Sequence, residues 1–234
     1  MSNQILINKS HPQQDAFGVR LVDATKNRYR FAEELLPPPG KGQRVLEIGG
    51  GMAEFSQRIA RKGYQITFAD FNSNSVENAR QLGFESHRID FNDGLPGIAD
   101  QSHDLVVILE VIEHIVNAEF LLEEIRRVLK PGGALVLSTP NFSWWMNRFR
   151  ILFGKLSHDE GYHYRFFTRR SLNQQLIKAG LSPETWLFTT PAYGANKVRR
   201  LLLNKPRLHV AVPGIIGPFL GYTIFVRARV ANTQ

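Results

Sequence analysis

The run LEVIEHI, residues 109–115, places Glu110, Glu113 and His114 within a few residues of one another. On a helix, spacings of three and four residues bring side chains onto one face, with Cβ atoms about 5–6 Å apart. Two chemistries suit such a set. Two carboxylates and an imidazole are ligands for Mg²⁺, Mn²⁺ or Zn²⁺ when another donor arrives, and His163 is the natural candidate. Alternatively, an imidazole with an ordinary pKa of about 6.5 takes a proton near neutrality and serves as a general base, His114 first and His163 second. The same letters also begin ordinary helices, so what the neighbouring chain binds must decide.

The neighbouring chain carries a glycine-rich turn. VLEIGGGMAEF, residues 45–55, reads as a buried strand ending in Gly49, Gly50 and Gly51 and opening into a helix. Such a turn lets a ligand approach the backbone at a helix N-terminus. Asp70 closes the next strand 21 residues after Gly49, where its carboxylate can accept hydrogen bonds from both hydroxyls of an adenosine ribose. A dinucleotide fingerprint would want glycine at the position of Glu54, whose charge would repel a pyrophosphate. A nucleoside cofactor is expected, and nicotinamide cofactors are disfavoured.

Alternating elements position these groups. A leading helix is expected from Ala16 to Leu36, stopped by PPPGKGQ. Strand-like runs then alternate with amphipathic stretches through ALVLSTP, the pattern of parallel βαβ units. Asn74 followed by Glu77 has capping-box spacing, and Gly63, Gly83 and Gly132 read as helix stops. Beyond Pro140 come an aromatic helix in NFSWWMNRFRILFG, a helix capped by Thr168 and ended by Gly180, a strand in LSPETWLFTT, a basic helix in AYGANKVRRLLLN and a last strand in GYTIFVRARV. The expected fold is a three-layer α/β/α, Rossmann-like, seven-stranded and mostly parallel sheet with an antiparallel C-terminal strand. It forms a single domain over 1–234, with a leading helix and lid in 1–40, a cofactor-binding core in 41–140 and substrate-facing elements in 141–234.

These motifs together resemble the class I S-adenosylmethionine-dependent methyltransferases over roughly residues 40–140. LEIGGGMA is similar to the first motif of the family, with Ala53 where a third glycine is common, and FADFN, with Asp70 and Phe71, to its second. IDFND resembles the third, whose acid, here Asp90, faces the adenine amino group while Phe91 lines the ring. HDLVV, EVIEHI and LLEEIRRVLKPGGALVLSTPN follow in the order of the later motifs, with His103 where phenylalanine is usual. The resemblance implies S-adenosylmethionine as cofactor, Glu47 near its methionyl part and Glu110 among the residues around it. The chain is similar to the small-molecule and ubiquinone-type O-methyltransferase branch. Glu110, Glu113 and His114 also resemble the Glu-x-x-Glu-His metal site of coenzyme Q and small-RNA 2′-O-methyltransferases. A divalent metal is therefore an alternative, with the metal-free reading favoured.

In this fold, ligands bind beyond the C-terminal ends of the strands. Asn141, Trp144, Trp145 and Arg165 are accordingly candidate substrate contacts, beside His114 and His163 as candidate catalytic groups. The implied reaction is methyl transfer, expected at an oxygen of a small molecule or glycan that is anionic or linked to a phosphate carrier.

Charge distribution adds two alternatives. Residues 146–234 hold 14 Lys and Arg against 3 Asp and Glu, a net +11, whereas residues 1–145 sum to −3. Such a field suits an anionic substrate, RNA or a membrane surface. RNA methylation is the runner-up function, and a non-catalytic peripheral membrane protein using residues 210–226 comes third. Cysteine is absent, which excludes disulfides, thiolate ligands and a cysteine nucleophile. No apolar run approaches the ~20 residues of a membrane span, and the N-terminal residues lack the charged and apolar regions of a secretory signal. Cytoplasm is the expected compartment.

Overall fold

The computed structural model describes residues 21–40, 42–155, 163–192, 196 and 209–231, with the backbone alone for 21–27. The first half alternates as the sequence pattern requires. Helix α1 (Leu21–Leu35) leads into β1 (Arg44–Ile48), α2 (Glu54–Ala60), β2 (Gln65–Asp70), α3 (Ser73–Gln81), β3 (Glu85–Arg88), β4 (His103–Leu109), α4 (Ala118–Val128) and β5 (Leu129–Pro140). The second half comprises α5 (Trp145–Leu152), α6 (Arg169–Lys178), β6 (Leu181–Pro191), β7 (His209–Val212), a short α7 (Gly217–Leu220) and β8 (Thr223–Val230).

The strands form one sheet in the order β3-β2-β1-β4-β5-β8-β6-β7. Strands β1 to β5 pair in parallel, and β8 runs antiparallel to both β5 and β6. The central strands are apolar on both faces because helices cover both. Leu105 and Val107 of β4 join Phe31, Leu35, Phe55 and Ile59 from α1 and α2. Val106 and Ile108 meet Leu121, Leu122 and Ile125 of α4 and Leu172 and Leu176 of α6 on the opposite face. Strand order reverses between β1 and β4, and that junction positions the site. Their register runs from Val45 opposite Leu105 to Ile48 opposite Ile108, so the glycine turn and the segment beginning at Glu110 leave the sheet side by side.

Several local expectations are corrected. The sheet has eight strands rather than seven, because His209–Val212 adds an edge to β6. Helix α3 is capped by Asn72, not Asn74: Asn72 Oδ1 accepts the Asn74 N–H at 2.8 Å. Gly132 lies inside β5, since α4 passes directly into the strand at Leu129. Thr168 caps α6 as expected, and Ser171 returns the bond to complete a capping box. The first five residues of the expected leading helix, the lid and most of the basic helix in 192–204, with Arg199 and Arg200, lie outside the described residues, as does Arg207. No described helix is long and apolar enough to cross a membrane.

Candidate active site

The glycine turn lies at the C-terminal end of β1. Gly49 has φ +71°, and its N–H donates to the Ala69 carbonyl at 2.8 Å, tying the turn to β2. A Cβ on Gly50 would stand 2.4 Å from the Phe68 ring and 2.7 Å from the Glu47 carboxyl carbon, so only glycine fits this cradle. Asp70 Oδ2 accepts the Gly51 N–H at 2.9 Å, and its Oδ1 accepts the Asn72 N–H at 2.8 Å. Both oxygens retain lone pairs for further hydroxyl donors. Burial raises the Asp70 pKa, and these backbone N–H groups oppose the rise.

Glu47 lies beneath the turn, almost wholly buried, and accepts a short hydrogen bond from the Ser56 hydroxyl. Burial pushes its carboxyl up to about 7 against the stabilising Ser56 contacts. Arg28 of α1, which the sequence reading missed, is near enough to act on it electrostatically. Its charge opposes the upward shifts of both Glu47 and Glu113, and its buried Nε has no hydrogen-bond partner among the described residues. The signal was present: Arg28 continues the 3.6-residue stripe of buried Phe31, Ala32 and Leu35, a cation where the core expects an apolar side chain.

On the adenine side, Asp90 is exposed and caps the 3₁₀ turn Phe91–Asp93 by accepting the Asn92 N–H. The Phe91 ring is buried in the core with Leu95 and Ile98, while Phe71, after β2, is exposed.

The Glu110–His114 run does not form the α-helix on which its spacing was read. Glu110 adopts φ +57°, a strained conformation for a non-glycine residue, and accepts a hydrogen bond from Ser138 Oγ at 2.7 Å. A single 3₁₀ turn, Ile112–His114, follows. The consequence is a different metal-ligand set. Ligand atoms of Glu113, His114 and His163 all lie within 4.8 Å of one another, and Glu110 is not part of that cluster. The Glu113 carbonyl accepts the N–H groups of Tyr164 and Arg165 at 2.9 and 3.0 Å, which brings His163 over the turn. The two imidazoles meet edge-on with centroids 4.7 Å apart. Glu113 is buried and accepts from Thr139 Oγ1 at 3.1 Å; burial, reinforced by the Glu110 charge, holds its pKa well above the carboxylate range.

Of the expected substrate contacts, Arg165 directs its guanidinium to the Val116 carbonyl and Glu119, the latter at 3.1 Å. Asn141 is buried and donates to the Pro218 and Gly221 carbonyls at 3.0 and 2.7 Å. Trp144 packs edge-on against Tyr222, with centroids 5.1 Å apart, and Trp145, half-buried, begins α5. A small pocket lined by Glu113, Pro140, Phe142, His163, Arg165 and Phe166 opens beside the cluster.

A carboxylate for ribose hydroxyls, a buried acid for an ammonium group and a guanidinium whose Nε is unpartnered for a carboxylate together fit S-adenosylmethionine. Comparisons with known proteins agree. A ubiquinone biosynthesis O-methyltransferase of Xanthomonas oryzae pv. oryzae is 36% identical over 105 residues, and that of a Chelativorans species 33% over 107. These matches span 44% and 42% of the relatives' lengths, and 43% and 44% of this chain. An S-adenosylmethionine-dependent methyltransferase structure from Thermotoga maritima superposes with a TM-score of 0.64 at 21% identity, covering 89% of each chain. Another, from Mesorhizobium loti, gives 0.63 at 17% identity over 87% of this chain and 97% of that one, so these two share the fold. The methyltransferase domain family model matches residues 23–185, well over half of the sequence, and the chain belongs to that family.

Proposed function

We propose that this chain transfers a methyl group from S-adenosylmethionine to a hydroxyl oxygen of a small molecule. The observation that carries this reading is the convergence of Glu113, His114 and His163 beyond the end of β4, beside the glycine turn. The cofactor supplies a methyl group already activated by its sulfonium, so the protein's task is to position and deprotonate the acceptor. Asp70 would receive the ribose hydroxyls, Glu47 the methionyl ammonium and Arg28 the methionyl carboxylate. His114, with His163 edge-on to it, would take the proton of the acceptor hydroxyl as that oxygen bonds the methyl carbon and the methyl–sulfur bond breaks, leaving a neutral thioether.

The names of the O-methyltransferase relatives support oxygen as the acceptor atom. The pairing of Arg165 with Glu119, and of Arg227 and Arg229 with Glu184, argues against reserving those cations for an anionic glycan or RNA. The test supplies labelled S-adenosylmethionine with a small-molecule extract and, separately, with total RNA. Label in a small molecule is expected; label in RNA overturns the acceptor assignment.

The close approach of the three ligand atoms also favours a second reading. Glu113, His114 and His163 would hold a divalent cation whose charge lowers the pKa of the acceptor hydroxyl. Chelation separates the two: activity that survives it belongs to the imidazole base.

A further inference from the structure

The outer half of α5 is unexplained by cofactor binding or by the acid–imidazole cluster. All eight residues from Arg148 to Lys155, RFRILFGK, are exposed, with Leu152 78% and Phe153 63% accessible. Globular helices bury their apolar stripe. In α5 the buried residue is Asn147, whereas Phe149 and Phe153 pack against each other on the surface with ring centroids 4.7 Å apart.

A second apolar element stands beside it. The turn carrying α7 exposes Phe219 and leaves Ile215 97% accessible. It is fastened to the start of α5: Ser143 Oγ donates to the Pro218 carbonyl at 2.9 Å, and the Arg148 guanidinium lies 5.5 Å from the Phe219 ring. Asn141 reinforces the link from the end of β5. Helices α5 and α7 therefore present one surface.

Charge identifies the occupant. Arg148, Arg150 and Lys155 alternate with the exposed apolar side chains, and the sequence has no acidic residue from Ile125 to His158 or from Thr185 to Gln234. A second copy would bring the same cations to the interface. We propose that this surface docks on an anionic phospholipid bilayer, its apolar tips entering the acyl boundary and its cations meeting lipid phosphates. A patch that interleaves apolar side chains with cations suits a negatively charged interface better than bulk water.

Co-sedimentation of the full chain with vesicles of phosphatidylcholine, with and without phosphatidylglycerol, tests this. Binding is expected to require phosphatidylglycerol and to weaken with salt. Leu152→Glu with Phe153→Glu should reduce it at least about tenfold, as should Arg150→Glu with Lys155→Glu. Thermal midpoints should stay near that of the parent, because these side chains lie in solvent. No binding by the parent, or equal binding by the folded variants, overturns the proposal. So does a dimer of the parent that the Leu152/Phe153 variant dissociates, or parent binding to an RNA homopolymer that both variants lose while vesicle binding persists.

Discussion

A Cβ placed on Gly49 would stand 2.4 Å from Cγ2 of Val111, the residue that follows the strained Glu110. The turn after β1 and the segment after β4 are thus in direct contact, and the geometry of one depends on the other. Gly49→Ala must adopt φ +71° with a side chain, at about 1–2 kcal/mol, and also displace Val111. Calorimetry should show cofactor affinity reduced by at least about tenfold. Adding Val111→Ala should recover part of the loss, since it relieves the collision but not the backbone strain. Unchanged affinity in Gly49→Ala would remove the turn from the cofactor site.

Glu47 supplies a pH signature. Its carboxyl titrates at about 7 because it is buried, so it gains charge as pH rises through neutrality. A cationic methionyl ammonium favours the ionised form. Cofactor affinity should therefore tighten between about pH 6 and pH 8, and Glu47→Gln should flatten the dependence. The same steepness in the Gln variant would assign the titration elsewhere.

His114 is proposed to act on the acceptor rather than the cofactor. His114→Ala should lower kcat by about 10²-fold or more while changing the cofactor Kd by less than about threefold. Comparable losses in both quantities would point to a structural role. EDTA on the parent enzyme provides the complementary measurement: undiminished turnover excludes the cation reading of Glu113, His114 and His163.

At the opposite end of β4, His103 is buried; its Nδ1 contacts Ser102 Oγ at 2.8 Å, and its Nε2 has no partner among the described residues. Burial, followed by the Arg44 charge, pushes its pKa down to about 4. The unfolded chain binds this proton from about pH 6.5 downward, whereas the folded chain resists until about pH 4. Stability from this group is complete above the unfolded pKa and falls with pH across that window, by about 3 kcal/mol in all. Urea titrations at pH 7.5 and 4.5 should show a smaller acid loss for His103→Phe than for the parent.

The sequence exposed the positions of the central strands because apolar residues on both strand faces and glycine-punctuated helices leave little freedom there. Asp70 could be located from its distance to Gly49 because Gly49 follows β1 and Asp70 ends the adjacent parallel β2. Other features depended on backbone choices that letters do not encode. Glu110 enters the left-handed region, which breaks the expected helical face and leaves Glu113 and His114 to meet His163. The 3₁₀ turn that Asp90 caps, which packs Phe91 against Leu95 and Ile98, is likewise a backbone choice. Arg28 stood on a recognisable apolar stripe, but its role depends on which carboxylates α1 crosses, and that is a tertiary fact.

The insertion of β8 between β5 and β6 sets an order on biosynthesis. During translation β1 to β5 can assemble as they emerge, whereas β6 and β7 pair with each other but lack a neighbour linking them to that sheet. Residues 223–230 supply it, joining Ala134 through Pro140 on one side to Leu181 through Thr189 on the other. Until they leave the ribosome, the β6–β7 ribbon and the open edge of β5 are both available to chaperones or to mispairing. The sheet closes from the middle, with its latest strand as the seam.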